Sequence, residues 1–385
     1  MLRRRRKRGP IGLDIGASSI KMLQVSNDDE QPTILAAAHY DLPALSSDPS
    51  ESDALIRKVV TDALRRNPFQ GRQVVTALGS GDYQMKNVRL PRMPAPELAS
   101  AVEFEAKERF DFGEGSAQIR YIPVGEVRHG NELKEEVIVF AALEEVVQAR
   151  LELLESLKLK PVAIDIAPCS AARSFIRFLR RAEDANSINV FLDVGYRGTS
   201  IIVTRGPEIS FLKQIDVGSR LLNEAVAKAL GISKQEAADL RIRIMREAGG
   251  AQSNVSGTVP VEMRTAVKDA VRPFMERLSR DVQLCMRYYA VTFRGQKPES
   301  LTLVGGDAHE PTLSKIISEA IDVPCLIGHP LRGMGRLGLI GGRDRRTFQP
   351  AWAVAGGLTL LGSPWVRTAS HSTGSMTASA VGAVA

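Results

Sequence analysis

The 385-residue chain is poor in cysteine. Cys169, Cys285 and Cys325 are odd in number, far apart and outside any C-x-x-C spacing. That excludes a disulfide framework and a thiolate metal site, and it suits a reducing compartment. His39, His129, His309, His329 and His371 show no metal-ligand spacing. No stretch approaches 18 uncharged apolar residues, which excludes a transmembrane helix. Neither G-x-x-x-x-G-K-[ST] nor G-x-S-x-G occurs, so a P-loop and a hydrolase elbow are excluded as well. A basic face is also missing, although the net charge is +7. "RRRRKR" at 3–8 supplies six of the 51 basic residues, leaving 45 against 44 acids. A near-neutral body argues against specific nucleic-acid binding. Residues 1–9 are expected to form a solvated, disordered arm. The arm and the apolar run after it imitate a secretory or twin-arginine signal, but Asp14 and Lys21 interrupt the run. The expectation is a cytoplasmic chain.

What is present fits a globular α/β protein: 44% hydrophobic and 25% charged residues, with length for two or three domains. Residues 10–40 form the start of a first lobe, read as the strands "IGLDI", "SIKMLQVS" and "PTILAAAHYDL". Residues 41–166 read as an inserted α+β subdomain and 167–187 as a helical link. Residues 188–362 read as a second lobe, where strands restart at Asn189 and a long helix covers about 261–293. Residues 363–385, small and polar, are expected to be disordered.

The informative feature is a repeat. "LDIGASSI" at 13–20 and "LDVGYRGTSI" at 192–201 share Asp, an apolar residue, Gly, a small-residue turn and Ser/Thr before a strand. Glycine- and serine-rich turns let backbone N–H groups approach a phosphate chain. A carboxylate at each strand end suits Mg2+, which favours such ligands and keeps much of its water. Asp14 and Asp193 are therefore the candidate metal ligands, and Lys21 is placed to meet a phosphate as a point charge. A third element, "LTLVGGDAH" at 301–309, closes a strand on Gly305 and Gly306, where a base and ribose would slide against bare backbone. "GMGRLG" at 333–338 spells G-x-G-x-x-G, but no long helix is expected to open from it.

The two hairpins and the later glycine pair resemble the actin-like ATPase superfamily of actin, the heat-shock chaperones and FtsA. The resemblance narrows to the PilM family of type IV pilus assembly proteins over about residues 10–362. It is carried by "RLPRMPAPELASAVEFEAKERFDF", "VIVFAALEEVVQARLELLESLKLKPVAIDI", "DVGSRLLNEAVAKALGISKQEAADL" and "AWAVAGGLTL" in that order. It implies an actin-like two-lobed fold of duplicated lobes with an inserted subdomain, and ATP with Mg2+ between the lobes. The implied first phosphate turn is Asp14, Gly16, Ser18, Ser19 and Lys21, and the second is Asp193, Gly195 and Thr199. Gly305 and Gly306 form the adenosine turn, and Gly218 opens a helix whose N-terminus faces the nucleotide.

Two departures stand out: Gly218-Ser219 replaces the family's Gly-Gly, and "AADLR" replaces Ala-Glu-x-x-Lys, which puts Ala238 and Arg241 near the ribose. Ala238 accepts no hydrogen bond, a loss on the order of 1 kcal/mol. Asp165 is expected to be structural and turnover slow or negligible. The implied partners are a PilN-like inner-membrane protein, bound through a short N-terminal cytoplasmic peptide, and self-association. The chain would then be peripheral to the inner membrane. The rival expectations are a small-molecule kinase on the same lobes and an FtsA-like membrane filament.

Overall fold

The computed structural model describes residues 8–26, 31–43, 48–112, 115–129, 132–248, 258–293, 297–335 and 350–366. An antiparallel meander opens the chain: β1 (Arg8–Ile15), β2 (Ser19–Ser26) and β3 (Thr33–Asp41). Every residue of β2 is buried, as in a central strand covered on both faces. Helix α1 (Pro49–Arg66) follows, with the Asp48 side chain accepting the Ser50 N–H at its start. Next come β4 (Gln73–Leu78), β5 (Gln84–Pro91), α2 (Ala95–Arg109), β6 (Ala117–His129), β7 (Glu132–Leu143), α3 (Glu144–Ser156) and β8 (Lys160–Ile166). β4 lies parallel to β1, and β8 lies parallel to β4.

Helix α4 (Ala167–Ile176) leads to a second meander of β9 (Ile188–Val194), β10 (Thr199–Arg205) and β11 (Glu208–Ile215). Helices α5 (Ser219–Leu230), α6 (Lys234–Ala248) and α7 (Val261–Phe293) come next. They are followed by β12 (Leu301–Gly305), α8 (Leu313–Ile321), β13 (Cys325–Ile327) and α9 (Ala353–Thr359). The two five-stranded sheets run β3-β2-β1-β4-β8 and β11-β10-β9-β12-β13. Each is a three-stranded meander extended from its first strand by two parallel strands, so the duplication seen in the hairpins extends to whole lobes. α7, α5 and α8 pack on the second sheet through Val271, Met275, Leu278, Val226 and Ile317.

Three expected boundaries move. The inserted unit does not fill 41–166. β5, β7 and β6 form a separate three-stranded sheet within 84–143, whereas β4 and β8 belong to the first sheet and α1 packs on it, because Val74 and Val75 pair with β1. α9 does not belong to the second lobe but returns to the first sheet. The Cβ that Gly12 lacks would lie 2.7 Å from the Ala355 carbonyl, and Thr359 donates to the Pro10 carbonyl at 3.1 Å. The arm ends at β1, which begins at Arg8. Its other residues lie outside the described ones, as does the tail beyond 366; Ser363 is buried, and Trp365 and Val366 pack against the core. Of "GMGRLG", Gly335 bonds to Pro32 and Ile34 beside β3, and 336–338 lie outside the described residues. Among the described residues no helix is long and apolar enough to cross a membrane.

Candidate functional site

The register of the first hairpin sets Asp14 opposite Lys21 and Ile15 opposite Ile20. The second sets Asp193 opposite Ser200 and Val194 opposite Thr199. Each turn closes in the same way: the glycine N–H donates to the carbonyl three residues on, Gly16 to Ser19 and Gly195 to Gly198, both at 3.0 Å. Asp14 and Asp193, 179 residues apart in sequence, line one cleft of about 220 Å3 together with Gly16, Ala17, Gly195 and Gly198. Their proximity registers in the chemistry. Asp193 has its pKa pushed up to about 6, first by burial and then by the charge of Asp14, while Lys21 pulls it down.

Gly305 is required on two counts. Its φ is +91°, and a Cβ there would stand 2.5 Å from both Asp193 Oδ1 and the Val194 carbonyl. β12 runs parallel to β9 with Val304 beside Asp193, so this glycine forms the floor on which the aspartate rests. No atom lies within 4 Å of a Cβ placed on Gly306, which leaves open space at the neighbouring position.

Other candidates occupy different roles. The Lys21 ammonium is buried, 3.6 Å from Asp14 and donating to Ser19 Oγ at 2.7 Å, so it neutralises the first aspartate within the hairpin. Ser18 is exposed at the turn, and its carbonyl accepts the Leu42 N–H. The Thr199 hydroxyl is turned inward to the Val217 carbonyl at 2.6 Å. Gly218 fits against the second turn: a Cβ would lie 2.6–2.7 Å from Gly198 N and the Tyr196 and Gly195 carbonyls. The first N–H groups of α5, from Ser219 and Arg220, donate to Gly195 and Tyr196. That helix N-terminus is therefore engaged in holding the turn and does not point bare into the cleft. Arg241 does not line the cleft either. It is fully buried, donating to Asn223 Oδ1 at 2.7 Å and Glu310 Oε2 at 2.9 Å, with Asp307 at 3.4 Å. Its place as a nucleotide contact is corrected to an internal counter-ion, because two buried acids claim its charge.

Asp165 is likewise fully committed. Oδ1 accepts the Ile166 N–H, and Oδ2 accepts from Ser170 and Arg173.

Several cleft residues carried no sequence expectation. The turn after β4 brings Gly79, Ser80 and Asp82 to the same cavity, with Asp82 Oδ2 accepting the Gly79 N–H at 2.9 Å. Arg150, from α3, lies in the wall, donating to the Ala77 carbonyl at 3.1 Å and sitting 3.5 Å from Asp82. Burial lowers its pKa, while Asp82 and Asp14 oppose that shift. Among the described residues two side-chain bonds cross from lobe to lobe at this cleft: Arg197 to the Ser80 carbonyl at 3.3 Å, and Gln214 to Tyr83 at 2.6 Å. "GSGD" after an apolar strand repeats the small-residue-plus-acid signature of the other turns, and that was the available signal. Arg150 on an ordinary helix gave none.

Among the described residues no group of three or more His, Cys, Asp or Glu is placed to hold a metal. A pair of carboxylates facing open glycine turns matches Mg2+, which takes its remaining ligands from water and phosphate; it does not match a protein-caged Zn2+ or Ca2+.

The comparisons agree with this architecture. A chain of the PilM-PilN type IV pilus biogenesis complex superimposes with a TM-score of 0.74 at 23% identity, covering 94% of this chain and 99% of that one. The ethanolamine utilization protein EutJ from Carboxydothermus hydrogenoformans gives 0.54 at 14% identity over 92% and 89%. MreB 5 of Spiroplasma citri, bound to AMPPNP, gives 0.51 at 10% identity over 92% and 96%. These likenesses establish the actin-like two-lobed fold. The family described as Type IV pilus assembly protein PilM matches residues 12–363, and the chain belongs to that family.

Proposed function

We propose that the protein is a nucleotide-dependent scaffold that binds Mg·ATP between its lobes and presents the closed form to a PilN-like membrane partner. The observation that carries this is the convergence of Asp14 and Asp193, from duplicated hairpins, on one glycine-walled cleft. The fit is to the phosphate end. At about 220 Å3 the cleft is below the roughly 300–1,000 Å3 of sites that enclose a whole small ligand. The glycine turns at Gly16 and Gly195 would hold the phosphates, and the open backbone at Gly306 would leave room for the nucleoside. Bound Mg2+ would supply charge neutralisation for the phosphates. The residues of this chain hold the two carboxylates, keep Asp14 paired to Lys21, and exclude side chains at Gly16, Gly195 and Gly305.

A ligand touching both lobes favours the closed form by its differential affinity, adding to the Arg197–Ser80 and Gln214–Tyr83 bonds. Asp165, with both oxygens engaged, is not poised to deprotonate water, which supports slow turnover. The partner is read from the similar structure, whose name pairs PilM with PilN. The expected contact is a short cytoplasmic peptide of that partner docking on the inserted sheet and the adjoining lobe.

Calorimetric titration of ATP with Mg2+ and with chelator tests the nucleotide part. Saturable binding that requires the metal is expected; no binding, or equal binding in chelator, contradicts it. Affinity for the partner peptide should rise when nucleotide is present.

A further inference from the structure

A second cavity, about 400 Å3, lies on the first lobe, where the chain leaving α4 meets the loop after β13 and the residues entering β3. It is lined by Gln31, Phe178 and three arginines, Arg177, Arg180 and Arg332, none of which lines the interlobe cleft.

The arginines are held in place by neutral groups. Arg177 is 3% exposed; it donates to the carbonyls of Ser174, Pro330 and Arg332, and its guanidinium lies 4.1 Å from the Phe178 ring centroid. Arg332 sits 5.5 Å from the same ring. Arg180 donates to the Arg177 carbonyl and sits 5.8 Å from the Trp365 ring. The neighbouring arginines are different: Arg173 pairs with Asp165, and Arg181 pairs with Glu183 and Asp184. Asp184 spends its other bonds on the backbone N–H groups of Arg180 and Arg181. Among the described residues no carboxylate forms an ion pair with Arg177, Arg180 or Arg332.

Three unpaired guanidinium groups around one cavity repel one another. Arg177 registers this: its pKa is pushed down to about 10, by burial first and then by the charges of Arg180 and Arg332. Such an arrangement is costly unless an anion completes it. Guanidinium forks match phosphate oxygens two at a time, and a ligand with more than one negative charge balances three cations where a single carboxylate leaves an excess. Phe178, with a guanidinium on it from each of two arginines, fixes their planes and limits the entropy lost on binding.

We propose that this cavity is a binding site for a multiply charged phosphoryl group, gripped by the exposed Arg180 and Arg332 against a buried wall formed by Arg177. Either a small phosphorylated solute or a phospholipid headgroup supplies this group. The two sources share this chemistry and differ in experiment.

The test uses the full chain and two variants, Arg332→Ala and Arg180→Ala/Arg332→Ala. Both positions are exposed, so the fold should survive, and circular dichroism checks that it does. Pyrophosphate is titrated by calorimetry, and co-sedimentation is measured with vesicles of phosphatidylcholine alone and with added phosphatidylglycerol. Loss of one charge-assisted contact should weaken binding roughly tenfold, and loss of both more than that. Phosphate held in the interlobe cleft would be insensitive to either substitution. Arginine-dependent binding of pyrophosphate supports the site with a soluble ligand. Arginine-dependent binding only to the anionic vesicles supports it with a lipid one. No binding of either probe by the wild type overturns the proposal. So does a double variant that binds as well as the wild type.

Discussion

Replacing Asp193 by Asn should make the ligand-free protein more stable while removing its hold on Mg·ATP. The folded chain raises the Asp193 pKa from 3.8 to about 6, mostly by burial and secondarily through Asp14. A shift of about two units at roughly 1.4 kcal/mol each corresponds to about 3 kcal/mol. The sign follows from which state holds the proton more tightly. Below about pH 4 the carboxyl is protonated both folded and unfolded, and it costs nothing. Between about pH 4 and pH 6 the unfolded chain releases the proton first, so stability falls as pH rises; above about pH 6 the full penalty is present. Asn imitates the neutral form at every pH. Urea unfolding of wild type and Asp193→Asn, without nucleotide or metal, should coincide near pH 4 and diverge to about 3 kcal/mol in favour of the variant at pH 7. Mg·ATP should then stabilise the wild type and leave the variant unmoved. A difference that is flat with pH, or a variant less stable at pH 7, refutes the reasoning that this carboxylate is held at a cost for a cation.

Three further substitutions probe the surroundings. Gly305→Ala places a methyl group 2.5 Å from Asp193 Oδ1 at a φ of +91°, so Mg·ATP affinity should fall more than tenfold by calorimetry. Arg241→Leu strands Asp307 and Glu310 together in the core, and about 3–5 kcal/mol of stability should be lost at pH 7 in urea unfolding, with less lost as pH falls, because burial raises the pKa of Glu310 and favours its neutral form. Gly357→Ala sets a Cβ 1.7 Å from the Ser170 carbonyl, where α9 crosses α4; it should cost about 1–3 kcal/mol or more, seen as a lowered melting temperature.

Much of the fold was legible because its signals are local. The β1–β2 and β9–β10 hairpins announce themselves by short apolar runs around D-x-G, and α7 by a helical periodicity that carries on past Pro273 over Val261–Phe293. The resemblance supplied the lobes. What stayed hidden depends on partners distant in sequence. That β4 and β8 extend the first sheet follows from parallel pairing with β1 across intervening elements, which strand pattern alone does not encode. α9 packs beside Gly12 and Ser170 through small residues, which read equally well as a helix of either lobe. At the site, Asp14, Asp193 and their glycines could be picked out because turn chemistry needs them. Lys21 and Thr199 lie on the same hairpins, yet they face inward, and only the register shows which neighbour claims them. Arg241 was misplaced for the same reason: Asp307 and Glu310 lie more than sixty residues away in sequence. Arg150 gave no signal at all.

The central claim is that two hairpin aspartates act on one metal-bound phosphate chain. Titrating Mg·ATP into wild type, Asp14→Asn, Asp193→Asn and the double variant measures it directly. The account predicts that each single change weakens binding at least tenfold and that the double change costs much less than the sum of the two, because both act on one ion. Full affinity in either single variant, or strictly additive losses, would contradict it.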